Sequence, residues 1–153
     1  MVSLRIVRKR HKKLPGAVSG ATRVKVGFVA SQSKSSSIER AIWNEFGTKG
    51  GASGGGWGGP IPERPFMRNA MRDNRGKYRD AMAASAGKIL RGDTQIETTL
   101  RKLGSDAQDD IKVEISSLSS PPNSPVTIAL KGSDKPLINT GEMASNVRWK
   151  IDK

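Results

Sequence analysis

Two short segments near opposite ends of this chain alternate between apolar and charged residues, and a long stretch between them repeats at helical spacing. In TRVKVGFV (Thr22 to Val29), Val24, Val26 and Phe28 fall on one side and Arg23 and Lys25 on the other. In VRWKI (Val147 to Ile151), Val147, Trp149 and Ile151 alternate with Arg148 and Lys150. A period of two is the signature of a half-buried strand, and the mirrored patterns predict that the two segments pair. The fold class that follows is α+β. A small antiparallel sheet, with strands near 22–29 and 146–152 and a candidate third over 3–8, packs against helices. At 153 residues the chain suits a single domain, 1–153.

Two long helices are predicted, over about 65–91 and 94–118. The first starts at Pro65, where a missing N–H costs nothing. Met67, Met71, Tyr78, Met82 and Ile89 form its apolar stripe, and Gly76 and Gly87 are the places where it can bend. The second is capped by Asp93 or Thr94, and Ile96, Leu100, Leu103, Ala107, Ile111, Ile115 and Leu118 follow steps of three and four. Gly104 interrupts this pattern in a way the helix tolerates. The pair is expected to lie antiparallel and to cover the sheet. Three prolines in SSPPNSP (Ser119 to Pro125) stop the second helix, and PVTIALKG reads as a short helical turn. A shorter helix, IERAIWNEF, is capped by Ser37 and closed by Gly47. It brings Ile38, Ile42 and Phe46 together, with Trp43 adjoining.

The tract TKGGASGGGWGGPIP (48–62) is too rich in glycine for regular structure and reads as a flexible loop. It lacks the Gly-Lys-Ser/Thr of a phosphate loop. Trp57 inside it either orders on contact with a partner or folds back on the domain.

The formal charge is +13, from 27 Lys and Arg against 14 Asp and Glu, and it is uneven. Residues 1–25 hold eight cations and no acid, and 1–21 read as a basic arm or strand. The run Arg8, Lys9, Arg10, His11, Lys12, Lys13 either grips phosphate or serves as a solvated arm or protein-contact surface. A second cluster, Arg64, Arg68, Arg72, Arg75 and Arg79, falls within about 80° of a helical arc. Asp73 and Asp80 lie on another side and neutralise the row poorly. The row is either a solvated, ion-paired face or a surface for DNA or an acidic neighbour.

Equipment for chemistry is sparse. There is no cysteine, so neither a disulfide scaffold nor a thiolate site is available. His11 is the sole histidine, which excludes a two-histidine metal motif. Asp109 and Asp110 project about 100° apart on a helix, and Glu39 and Glu45 make no acid/base pair by themselves. The expectation is a non-enzymatic protein with no catalytic, cofactor-binding or metal residues. No apolar run approaches a spanning helix and no secretory leader is evident, so a soluble protein made inside the cell is expected.

Three stretches together resemble one known family. They are IERAIWNEFGT (Ile38 to Thr48), IPERPFMRNAM (Ile61 to Met71) and PPNSPVTIALKGSDKPLINTGEMASNVRWKI (Pro121 to Ile151). In this order they resemble the tail-component proteins of tailed bacteriophages, variously called tail-completion, neck or head–tail joining proteins. The resemblance spans about residues 22–152 and leaves out the basic arm and the glycine-rich insertion. It implies a structural virion protein, made in the bacterial cytoplasm, that forms a homo-oligomeric ring, commonly of six copies, at the neck. Its implied neighbours are the head connector or head-closure protein and the tail-tube or tail-terminator protein, with nonspecific contact to DNA passing the channel and no membrane. It further implies that Glu45, Phe46 and Gly47 form a structural corner and that Arg64, Pro65 and Phe66 fix the start of the long helix. Lys135, Pro136, Leu137, Ile138, Asn139, Thr140 and Gly141 would dock a neighbouring subunit or ring, with Thr140 capping the turn before the last strand. The competing reading is a basic protein that binds nucleic acid without sequence preference through the arm and the arginine row.

Overall fold

The computed structural model describes residues 20–50 and 59–152. In chain order it contains β1 (Arg23–Gly27), α1 (Ser35–Phe46), α2 (Phe66–Asp73), α3 (Arg75–Arg91), α4 (Ile96–Ser117), α5 (Pro125–Lys131), α6 (Glu142–Ser145) and β2 (Arg148–Asp152). The fold is α+β. β1 and β2 pair antiparallel with Val24 opposite Ile151 and Val26 opposite Trp149, so the two alternating segments share one inner face. The candidate strand over 3–8, the basic run and Trp57 lie outside the described residues, as do residues 51–58 of the glycine-rich tract.

α4 is the axis of the fold. Leu100, Leu103, Ala107, Ile111 and Ile115 are buried as their spacing requires, and Leu118 follows just past the helix end. α4 packs against the sheet, α2, α3 and α6. Its first helical residue is Ile96, and Gln95 precedes it without a side-chain cap, so neither Asp93 nor Thr94 plays the expected role. The central cluster joins Ile111 and Ile115 to Phe66, Ala70, Ala41, Leu137, Met143 and Val147. Phe28 meets Phe66 edge to face at 6.3 Å between ring centroids.

The long helix expected over 65–91 is two helices. The break falls at Asn74, whose Nδ2 donates to the Ala70 carbonyl at 3.0 Å while its backbone sits at φ −96°, ψ 4°. The asparagine amide shares this carbonyl with its own backbone N–H, which donates to it at 3.2 Å, and such local side-chain bonding favours a helix end at asparagine. Gly76 and Gly87 lie inside α3. The buried residues also sit one position away from the expected stripe: Phe66 and Ala70 are buried, whereas Met67 and Met71 are partly so. α3 buries only Ile89, and it is α4 rather than an α3–α4 pair that covers the sheet. α3 runs antiparallel to α4 and is latched by Asp110, which accepts from Tyr78 Oη at 2.6 Å and Lys77 Nζ at 2.8 Å. Burial first, and the Asp110 carboxylate second, raise the Tyr78 phenol above its usual range, so it stays a protonated donor.

α1 begins earlier than its expected cap. Ser37 is buried within it, with its Oγ unpaired. The inward face is Ser37, Ala41 and Glu45, and the apolar positions Ile42 and Phe46 face outward. α5 forms where a helical turn was expected. Ser124 Oγ caps it by accepting from Thr127 N at 3.2 Å, and Gly132 closes it in the left-handed conformation.

Candidate functional site

The three family-like motifs converge on one junction. Glu45, at the end of α1, is 1% exposed. Its carboxylate accepts from the backbone N–H of Met67 at 2.9 Å and of Arg68 at 3.1 Å, in the first turn of α2. A helix start leaves such donors without intrahelical partners and carries partial positive charge, so a carboxylate there is stabilised twice. Arg68 Nε reaches the same carboxylate at 2.9 Å, and Arg68 also donates to the Glu45 carbonyl and to Glu63. Hydrogen bonding to Glu45, then to Glu63, raises the Arg68 guanidinium above its usual range. The same guanidinium lies 5.3 Å from the centroid of the Phe46 ring.

The adjoining chain is tied just as closely. Arg64 N donates to the Asn44 carbonyl at 2.6 Å, and Thr48 N to the Ile61 carbonyl at 2.8 Å. Ile61 N returns a bond to Thr48 Oγ1 at 3.1 Å, which pins the two described ends of the glycine-rich tract together. Gly47 sits at φ 69°, ψ 172°, a region nearly closed to other residues. A β-carbon there would stand 3.0 Å from both Glu63 N and the Ile61 carbonyl oxygen. Gly47 is therefore required by the corner itself, with a positive φ and an extended ψ.

Arg64 overturns part of the arginine row. It is 5% exposed and points inward. Nε donates to the Pro121 carbonyl at 2.8 Å, Nη2 to the Pro122 carbonyl at 3.0 Å and Nη1 to Asn44 Oδ1 at 3.1 Å. Burial lowers its pKa, and burial plus Arg64 lowers that of Lys131. An arginine that reads as one member of a surface row is thus the bolt between the second and third motifs. The rest of the row is largely neutralised. Arg72 pairs with Asp73 at 3.0 Å and Arg79 with Asp80 at 3.1 Å, although those aspartates were expected to be poorly placed for it. Adjacent long side chains curl along the helix surface to meet, which angular projection misses. Arg75 is exposed and has no carboxylate partner among the described residues.

The KPLINTG loop divides. Pro136 and Leu137 are buried in this chain's own core, Ile138 packs against it, and Lys135, Asn139 and Thr140 are exposed. Pro136 and Leu137 thus hold the loop and cannot themselves be the docking face. Thr140 Oγ1 accepts from Glu142 N at 3.4 Å, but the cap position of α6 belongs to Gly141. An open cleft of about 210 Å³ lies between this loop and α1, walled by Arg40, Asn44 and Lys131. At its rim Glu142 binds Lys34 Nζ at 2.8 Å and Arg40 Nη2 at 2.7 Å, linking α6 to α1.

Those two cations, Lys34 before Arg40, hold the Glu142 carboxyl below the usual range. A carboxyl depressed on folding stabilises above its unfolded pKa, and that contribution disappears as pH falls through the folded value. The thermal midpoint of the wild type is therefore expected to fall more steeply than that of Glu142→Gln below about pH 4.3. The gap between the two should be widest near neutrality and close on acidification. Parallel curves would show that the contact contributes nothing.

Among the described residues Leu90 and Val113 are exposed singly, and two pairs of apolar residues are left open. α5 buries none of its residues and leaves Val126 and Leu130 each 67% exposed, while α1 leaves Ile42 at 50% and Phe46 at 64%. Each pair is spaced i, i+4 and so forms a ridge. Sequence reasoning grouped Ile42 with Phe46 but gave no sign that they face outward. Among the described residues no group of His, Asp or Glu side chains is placed to hold a metal, and no helix is long and apolar enough to cross a membrane. Comparison with models of protein families, with curated proteins and with solved structures finds no match to this chain.

Proposed function

We propose that the protein is a structural virion subunit that assembles into a ring at the head–tail junction of a tailed bacteriophage, completing the tail and joining it to the head connector. The observation that carries this reading is α5, a helix with apolar Val126 and Leu130 exposed and nothing of its own buried. Single exposed apolar residues are ordinary. A helix that buries none of its residues fully and turns two large apolar side chains outward is best explained by a partner. The Ile42–Phe46 ridge on α1 is a second, different patch, and two unlike patches on one chain suit the head-to-tail contacts from which rings close. The ordered motifs resembling tail-component proteins point the same way, and their copy number of six is what that resemblance implies. On this reading the junction around Glu45 and Arg64 is the rigid frame that presents both ridges. The protein's work is then contact rather than catalysis.

The test pairs native mass spectrometry with co-sedimentation on purified tails and filled heads. The wild type is expected to form rings or to bind one of these particles. Val126→Asp with Leu130→Asp should abolish both while leaving the thermal midpoint within about 2 °C, since neither side chain is part of the core. A wild type that stays monomeric and ignores both particles would sink the proposal.

A further inference from the structure

We infer that the outer face of the β1–β2 sheet, formed by Arg23, Lys25, Arg148 and Lys150, is a contact surface for the phosphate backbone of nucleic acid. The inference stands on the sheet and is independent of the ring. The register places Arg23 opposite Asp152, Lys25 opposite Lys150 and Gly27 opposite Arg148, all on one face. The other face, with Val24, Val26, Trp149 and Ile151, lies against α4. Four cations therefore share a two-stranded ribbon with one carboxylate.

Asp152 satisfies Lys25 at 2.8 Å. Arg23 and Lys150 have no carboxylate within ion-pair distance among the described residues, and Arg148 donates only to the backbone carbonyls of Ser145 and Val147. Like charges directly opposite each other destabilise a sheet, so Lys25 facing Lys150 is not an arrangement that folding favours. Successive same-face positions lie about 7 Å apart along a strand and about 5 Å apart across it. This gives a dense, flat cationic array. The face carries no apolar or aromatic side chain, which the centre of a protein interface normally supplies. Charge alone with no patterned contact is what backbone binding without sequence readout requires. The chain leading into β1 is of the same character in sequence, since residues 1–22 contain six Lys and Arg and no acid.

The test measures binding of the full-length protein to a mixed-sequence duplex of about 20 base pairs across about 50 to 200 mM salt. Arg23→Gln with Lys150→Gln should weaken binding about tenfold at the lower salt and make the slope of log affinity against log salt shallower by about 2. Thermal melting should show both proteins folded, since the double variant removes the Lys25–Lys150 repulsion. Arg72→Gln with Arg79→Gln should bind as the wild type does. Absence of binding at low salt would overturn the inference. So would unaltered binding by Arg23→Gln with Lys150→Gln, or loss of binding in the Arg72/Arg79 variant instead. Competition by polyglutamate as effective as by duplex would assign the face to an acidic protein and overturn it too.

Discussion

Glu45→Ala is expected to lower the unfolding free energy by about 3–5 kcal/mol, the range for breaking a buried charged network by removing one member. The carboxylate serves two backbone N–H groups of α2 and the Arg68 side chain at once, from a position closed to water. Alanine leaves the two N–H groups without partners and opens a hole where no apolar group fills in. Arg68 is about half exposed, so water recovers most of its loss. The orphaned N–H groups dominate the cost, each at about 1–3 kcal/mol. Glu45→Gln should recover only part of the loss. It restores one acceptor oxygen but turns an amide donor toward groups that are themselves donors. Urea titration read by circular dichroism measures both variants, and an unchanged slope would keep the comparison within two-state unfolding. A loss under about 1 kcal/mol for Glu45→Ala would mean that the junction is not what fixes α2.

That same residue shows where sequence reading reaches its limit. From its own spacing Glu45 read only as a carboxylate without an acid/base partner, and the resemblance placed it in a structural corner without naming what it binds, because its partners lie more than twenty positions away, on the far side of the glycine-rich tract. Arg64 read as surface for the same reason, since its acceptors are backbone carbonyls of Pro121 and Pro122 that no side-chain pattern announces. What was legible is what local periodicity encodes. The pairing of β1 with β2 followed from two matched alternations, and the buried stripe of α4 from steps of three and four. α1 was legible as a helix but not as to its inward face. Ala41, flanked by Ser37 and the capping Glu45, turns inward because the core near Phe66 leaves room for small side chains and needs the carboxylate. Hydropathy alone would have turned Ile42 and Phe46 inward. The outward turn of those two residues is also what supports α1 as a proposed contact surface.

Gly104→Leu is expected to cost about 3 kcal/mol or more, at the upper end of what overpacking a core does. Gly104 lies in the middle of α4, where a glycine ordinarily costs about 1 kcal/mol relative to alanine, and sequence alone marks it as a tolerated flaw. The structure gives it a purpose. A β-carbon at this position would stand 2.7 Å from Trp149 Cδ2, 2.8 Å from Trp149 Cε3 and 2.9 Å from Val24 Cγ2. Both neighbours belong to the inner face of the sheet, so the absent side chain is what lets α4 lie against β1 and β2. Even Gly104→Ala must push the indole aside. Its gain in helix propensity, about 1 kcal/mol, is expected to be outweighed by a packing cost of about 1–3 kcal/mol. Gly76→Ala supplies the contrast. It lies in α3 with nothing within 4 Å of its would-be β-carbon. There the same substitution should stabilise by about 0.5–1 kcal/mol. Urea midpoints for the two alanine variants should therefore move in opposite directions, and the indole N–H resonance of Trp149 should shift only in Gly104→Ala. If both variants gain stability, the close approach of α4 to the sheet does not depend on glycine at 104, and the packing that presents the cationic outer face must be different.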